Sequence, residues 1–123
     1  MSKNIKSVLV LCLAFIMAIA ALSLNSIAAT DFIPSHIKSV VFDAKYYSSN
    51  YADLSAAFGN NTTALYNHFL GYGAKEGRQA SPIFDATYYL KNNGDLKAAF
   101  GTNREEGVKH FGNFGYKERD RKV

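Results

Sequence analysis

The stretch FDAKYYSSNYADLSAAFG, residues 42–59, decides the fold, because it returns as FDATYYLKNNGDLKAAFG at residues 84–101. The two copies are offset by 42 residues and align without a gap, with 19 identical pairs in 41. A period of this length is typical of stacked helical units, each of which cannot bury its apolar face alone. We therefore predict a first repeat at residues 39–80 and a second repeat at residues 81–123.

Each repeat is predicted to form three short helices with recognisable beginnings. The first helix begins after Asp43 or Asp85, because an aspartate at the N-cap accepts hydrogen bonds from free N–H groups of the first turn. In the second repeat, Thr102 and Glu105 have the spacing of a capping box, which predicts the start of the third helix.

Glycines mark the predicted helix ends. The second helix, ADLSAAF or GDLKAAF, is followed by Gly59 or Gly101, and glycine is the usual residue after the end of a helix. The third helix is expected to end near Gly73 or Gly115. The sequence therefore predicts helices of about two turns joined by tight connections.

The apolar residues recur at helical spacing. Offsets of three, four and seven residues place them on one stripe of each helix, and no run alternates with a period of two. This pattern predicts an all-α fold in which both repeats share one small core. The stripe comprises Tyr47, Leu54, Phe58, Tyr66, Phe69 and Tyr72 in the first repeat and Tyr89, Leu96, Phe100, Val108, Phe111 and Phe114 in the second.

Residues 1–28 have the pattern of a secretory signal peptide. Two lysines precede an apolar run, and small residues follow at Ser26 and Ala28. Cleavage is expected after Ala28, or after Ala29 as second choice, which leaves no stable membrane anchor. An uncleaved anchor helix is the alternative, because the apolar run is near the lower length for a membrane span.

The chain that would remain after cleavage begins with a lead-in segment, residues 29–38. Its apolar residues Phe32, Ile33 and Ile37 can dock on the first repeat; the alternative is that this terminus is disordered. This chain has 95 residues and no cysteine, so disulfides and thiolate sites are excluded. Its 12 basic and ten acidic side chains are too balanced for a nucleic-acid partner. Sixteen Tyr and Phe rings are its unusual feature.

The pattern FDAxYYxxxxxDLxAAFG…HFxxxGxKEGR resembles a repeat of secreted and surface proteins of Gram-positive bacteria, where similar copies occur in tandem beside extracellular hydrolase domains. The resemblance covers residues 39–121 and implies an accessory module of the cell envelope without assigned catalytic residues. The second repeat departs from the pattern at its end, where Arg119-Asp120 stand in place of Gly77-Arg78.

His68 and His110 occupy the same position in the two repeats. No second candidate ligand follows either histidine at i+3 or i+4, so a structural histidine is favoured over a metal-binding or catalytic one. Repetition also favours architecture, because a catalytic site needs to exist only once. Glu76 and Glu118 are expected to form solvated ion pairs, the first with Arg78 and the second with a basic neighbour.

Four aspartates were weighed as calcium ligands: Asp43, Asp53, Asp85 and Asp95. No Asp-x-Asp-x-Asp-Gly string accompanies them, so helix capping is the favoured explanation, and no metal or other cofactor is predicted.

Tyr46 and Tyr88 are the candidate ligand-binding residues. Neighbouring helix residues point about 100° apart, so these rings lie at the edge of the stripe that contains Tyr47 and Tyr89. An exposed tyrosine can stack on a sugar and form hydrogen bonds through its hydroxyl. The alternative is that both rings pack between the repeats.

These observations predict a secreted or wall-associated, non-enzymatic repeat module that binds a cell-wall or surface glycan. The alternative is an extracellular protein–protein module, acting by self-association or by inhibition or tethering of an extracellular enzyme. A small hydrolase is a third possibility, but neither repeat contains a Ser-His-Asp or Cys-His arrangement in a recognisable context.

Overall fold

The computed structural model describes residues 29–118 and 121–123. The signal peptide predicted for residues 1–28 lies outside this range. Across the described residues the regular structure is entirely helical, which confirms the all-α prediction. None of the helices in this range is long and apolar enough to cross a membrane.

The same order of helices occurs in both repeats. A 3₁₀ turn, Ser35–Ile37, and helix α1, Lys38–Val41, lead into the first repeat. The first repeat contains α2 (Ala44–Asn50), α3 (Ala52–Phe58), α4 (Thr62–His68), a π-helical turn (Phe69–Gly73) and α5 (Ala74–Glu76). The second repeat contains α6 (Ala86–Asn92), α7 (Gly94–Phe100), α8 (Arg104–Asn113) and a 3₁₀ turn (Gly115–Lys117).

The aspartate caps form as predicted. The carboxylate of Asp43 accepts a hydrogen bond from the N–H of Tyr46 at 2.9 Å. Asp85 accepts from the N–H groups of Thr87 and Tyr88. Each carboxylate satisfies amide donors that the first turn of a helix leaves without an intrahelical partner.

The predicted capping box at the third helix is wrong. Asn103, rather than Thr102, is the N-cap of α8, and its side chain accepts from the N–H of Glu106. Asn61 does the same in the first repeat by accepting from the N–H of Ala64. Asparagine is as good an N-cap as serine or threonine, and the helix begins at Arg104, directly after Thr102-Asn103 as expected.

The third helix of the first repeat also extends beyond the predicted end at Gly73. The π-helical turn continues into α5, which ends at Gly77 in the left-handed conformation, with φ of 75°. Gly59 and Gly101 end α3 and α7 as predicted, with φ of 53° and 57°. A positive φ at these positions favours glycine, because a β-carbon is strained there.

One hydrophobic core runs through both repeats. Tyr47 and Tyr89 are fully buried at its centre, each with edge-to-face contacts to the phenylalanine that precedes its helix, Phe42 or Phe84. Within each repeat the three helices pack on one another, and α5 packs on α8 across the repeats. The shared core explains how units too small to fold separately form one domain.

The lead-in segment contacts both repeats and not the first alone. Ile33 and Ile37 are buried. In the first repeat, the hydroxyl of Tyr66 donates a 2.7 Å hydrogen bond to the carboxylate of Asp31. In the second repeat, a β-carbon added at Gly112 would lie 3.1 Å from the Cδ1 atom of Ile37. The segment therefore closes the domain across the boundary between the repeats.

Ser81 joins the two repeats. Its side chain is fully buried, and its hydroxyl donates to the carbonyl of Val40. The same oxygen accepts from the N–H groups of Ile83 and Phe84 at 3.2 Å. One hydroxyl thus satisfies three backbone groups at the junction, where an unpaired buried polar group would be costly.

Candidate functional site

A histidine lies between a buried tyrosine and the surface in each repeat. The hydroxyl of Tyr47 forms a 2.9 Å hydrogen bond with Nδ1 of His68. The equivalent pair in the second repeat, Tyr89 and His110, is 3.0 Å apart. Burial raises the pKa of the Tyr47 phenol, and it raises the pKa of the Tyr89 phenol to about 12, so both tyrosines are neutral at pH 7.

A glycine makes room for each tyrosine hydroxyl. A β-carbon built at Gly73 would overlap the hydroxyl of Tyr47, and one built at Gly115 would overlap the hydroxyl of Tyr89. Both glycines belong to the sequence pattern that the repeats share. We attribute their presence to the close approach of a phenol to the backbone, because neither glycine has a positive φ.

Each histidine also contacts two further aromatic rings. In the first repeat, ring centroids of Phe58 and Tyr72 lie 5.8 Å and 5.7 Å from that of His68. In the second repeat, Phe100 and Phe114 lie 6.0 Å and 5.4 Å from His110. The first ring of each pair is partly buried. We call each set of histidine, partly buried ring and outer ring a histidine–aromatic patch.

The outer rings correct a prediction. The apolar pattern predicts that Tyr72 and Phe114 belong to the buried stripe, but they are 43% and 60% exposed. The physical reason is that neither lies in a regular α-helix. Tyr72 lies in the π-helical turn, and Phe114 lies at the C-cap of α8, with φ of −134°. Both departures change the direction of the side chain relative to a 3.6-residue period.

The surroundings of the histidine in the first patch favour its neutral form. Burial lowers the pKa of His68, and the nearby Arg78 guanidinium lowers it further. Within residues 29–118 and 121–123, the imidazole forms its hydrogen bond through Nδ1, and no buried side-chain nitrogen lacks a partner. Among the described residues no hydrogen bond is formed by its second nitrogen, Nε2.

An arginine closes the last loop of each repeat next to the patch. Arg78 donates two hydrogen bonds, of 2.9 and 2.8 Å, to the carboxylate of Asp53 and a third to Glu76. The Asp53–Arg78 hydrogen bonds hold the pKa of that carboxyl below its usual range. The predicted ion pair between Glu76 and Arg78 is therefore confirmed, and Arg78 additionally fixes the start of α3.

The second repeat forms the same arginine clamp one residue later in the sequence. Arg121 donates to both carboxylate oxygens of Asp95 and to Glu118, which confirms the expected basic neighbour of Glu118. The hydrogen bonds from Arg121 lower the pKa of Asp95 to about 2. Arg78 and Arg121 are separated by 43 residues, so the alignment without a gap is wrong at its end.

The residue after each arginine is also held, but by different side chains. The N–H of Gln79 donates to the hydroxyl of Tyr51 at 2.8 Å. In the second repeat Asn93, which stands where the first has Tyr51, donates to the carbonyl of Lys122 at 2.9 Å. The 43-residue offset therefore also relates Gln79 to Lys122. Both loops are held at this position, although the side chains that hold them differ.

Tyr46 and Tyr88, the residues predicted to bind a ligand, lie on the first helix of their repeats. Tyr88 is 45% exposed and Tyr46 is partly exposed. The structure thus leaves both rings accessible. Neither ring belongs to a histidine–aromatic patch, because the two histidines contact other aromatic rings.

The four aspartates weighed as calcium ligands have protein partners. Asp43 and Asp85 cap helices, and Asp53 and Asp95 accept from arginine. In the part of the chain that the structure describes, no three His, Cys, Asp or Glu side chains are grouped as metal ligands.

Comparison of the chain with protein-family models, curated protein sequences and solved structures found no match.

Proposed function

We propose that the chain is a secreted, non-enzymatic repeat module that binds a cell-wall or surface glycan. The observation that carries this proposal is the exposure of an aromatic ring at the same place in each repeat, Tyr72 in the first and Phe114 in the second. A large aromatic ring that is exposed at the same place in both repeats supports a binding role, because such rings contribute much of the contact area at binding surfaces.

The roles of the polar residues support binding rather than catalysis. The two histidines are each tied to a buried tyrosine, and Asp53 and Asp95 are each tied to an arginine. A nucleophile would need an adjacent general base in a shared cleft. The same contacts occur in both repeats, as expected for architecture and for a binding surface presented twice.

A cosedimentation assay tests the proposal. Purified Gram-positive cell walls, stripped of protein with protease, are mixed with the purified protein and centrifuged. We expect the protein in the pellet, and addition of soluble wall fragments should release it. Protein that stays in the supernatant at micromolar concentration would refute glycan binding.

The same assay tests Tyr46 and Tyr88, the two ligand-binding residues predicted from the sequence. The double variant Tyr46→Ala with Tyr88→Ala is compared with the unaltered protein on the same walls. A weaker retention would assign these rings to the binding surface, and unchanged retention would remove them from it.

Secretion is tested separately by producing the full chain in a Gram-positive host. We expect the protein in the medium or on the wall, with Ala29 or Thr30 as its first residue by mass spectrometry. An intact N-terminus in the membrane fraction would instead favour the uncleaved anchor.

A further inference from the structure

We propose that each histidine–aromatic patch is a subsite for one pyranose unit, so that the protein holds a sugar polymer at two equivalent places. The first subsite is formed by Tyr72 and His68, and the second by Phe114 and His110. This inference rests on the proposed function and specifies the chemistry that the ligand must have.

The outer rings are arranged to stack on a sugar. Tyr72 is 43% exposed and Phe114 is 60% exposed, and each lies against its histidine, at 5.7 Å and 5.4 Å between ring centroids. The imidazole contacts the outer ring at a tilt, with 35° between the ring planes in the first patch and 44° in the second. Because this contact restrains the ring, less side-chain freedom is lost when a ligand covers its exposed part. The C–H face of a pyranose is apolar and about the size of one aromatic ring, so it fits this surface.

A polar group lies beside the stacking ring. In the first patch the imidazole of His68 contacts the ring of Tyr72. Its Nδ1 is held by the hydroxyl of Tyr47, and among the described residues no hydrogen bond is formed by Nε2, which can serve a sugar hydroxyl. An apolar ring beside a few fixed polar groups is the usual composition of a small-molecule site.

The difference between the repeats indicates which atoms matter. The outer ring carries a hydroxyl in Tyr72 and none in Phe114, while exposure and contact with histidine persist in both. The common element is the face of the ring, which predicts recognition by stacking and not through the phenolic hydroxyl.

The size of the patches favours a sugar chain over a folded protein. A stable protein interface buries about 800 Å² on each side and involves about 20 to 30 residues. Each patch instead presents one outer ring beside a partly exposed histidine. Two small sites held in one rigid core suit a ligand with repeating units, because the second unit then binds at a high effective concentration.

The test measures the affinity of the full protein for purified peptidoglycan by cosedimentation. Tyr72→Ala and Phe114→Ala are examined singly and together. We expect each single variant to bind about 100-fold or more weakly, since loss of one of two linked sites removes an avidity of order 10²–10⁴, and the double variant to bind more weakly still. The conservative variants Tyr72→Phe and Phe114→Tyr should retain binding.

A matched control and a folding control accompany these variants. Ile83, which is 57% exposed and belongs to neither patch, is changed to alanine and should bind as the unaltered protein does. Circular dichroism and thermal unfolding verify that every variant retains its helices. If Tyr72→Ala does not fold, Phe114→Ala decides the test, because Phe114 is the more exposed of the two rings.

The outcomes separate this inference from the proposed function. If the unaltered protein binds walls and the double alanine variant binds equally well, the two subsites are refuted while glycan binding stands. If the unaltered protein does not bind, both are refuted. Walls treated with hydrofluoric acid, which removes phosphodiester-linked polymers, distinguish sugars of the glycan strands from those of attached polysaccharides; binding through the two rings in either arm supports the subsites.

Discussion

Gly107 lies directly against Leu90, and a β-carbon added to it would be 3.1 Å from Cγ of that leucine. The first repeat reverses the arrangement: Leu65 stands at the position of Gly107, and Ser48 stands at that of Leu90. Leu65 and Leu90 are both buried. In the second repeat the leucine of the first helix thus packs on the glycine of the third, whereas in the first repeat the buried leucine at this pair of positions belongs to the third helix.

This relationship predicts a compensating swap. Gly107→Leu should destabilise the protein by about 1–3 kcal/mol because the core is overfilled. Leu90→Ser should also destabilise it, because it removes buried apolar volume. The double variant recreates the arrangement of the first repeat, so its loss should be smaller than the sum of the two single losses. Urea unfolding at pH 7 measures the three free energies.

Gly94 provides the control for this swap. A β-carbon at Gly94 has no heavy atom within 4 Å, and the residue is exposed at the start of α7. Gly94→Leu should therefore change stability little. Strictly additive losses in the double variant would contradict the interpretation that one leucine fills a shared space.

A second prediction concerns the glycine beneath the buried phenol. Gly73→Ala should destabilise the first repeat by about 1–3 kcal/mol, since the new β-carbon overlaps the Tyr47 hydroxyl. Tyr47→Phe should cost about 0.5–1.5 kcal/mol through loss of the hydrogen bond to His68. The two changes together should cost less than their sum. Gly71→Ala, in the same π-helical turn but with no atom within 4 Å, is the matched control.

A third prediction is a decline of stability in mild acid. The pKa of His68 is lower in the folded protein than its ordinary value of 6.5, so the unfolded chain takes up a proton at higher pH. The contribution of His68 to stability is fully present above pH 6.5 and is lost as the pH falls toward the lowered folded pKa. Urea unfolding between pH 7.5 and 5 should show this decline, and His68→Gln should reduce it. An equal decline in the variant would exclude His68 as its source.

A fourth prediction concerns the arginine clamp. Arg78→Lys retains the charge but cannot form the paired hydrogen bonds to Asp53, because an ammonium lacks the planar fork of a guanidinium. Asp53 is largely exposed, so solvent screening keeps the expected loss to about 0.2–1 kcal/mol. The difference between the two proteins should shrink at high salt. A loss that is large and independent of salt would instead indicate a packing role for the Arg78 side chain.

Much of the local structure could be predicted because its causes are local. The caps at Asp43 and Asp85 act within one turn of helix, and the stops at Gly59 and Gly101 depend on the backbone freedom of one residue. The cap of α8 differs from the prediction, because Asn103 and not Thr102 accepts a hydrogen bond from the first turn.

The site was less predictable. The helical period assigned Tyr72 and Phe114 to the core, because it assumes a regular α-helix through residues where the chain forms a π-helical turn or ends the helix. The exact recurrence of His68 as His110 was the available signal for the histidine–aromatic patches. Their tyrosine partners lie 21 residues away in the chain, beyond any local rule.

By itself, the sequence determined that the described chain is helical, that the same helices occur twice, and where most of them begin and end, since these follow from spacing and capping within a few residues. Only the tertiary structure decided which rings remain exposed to water and that Leu90 packs on Gly107. It also decided that Arg121 takes the role of Arg78 despite a shift of one residue. The reason is that these features depend on volume and hydrogen-bond geometry between distant segments, where a side chain from either helix, or one residue later in a loop, satisfies the same contact.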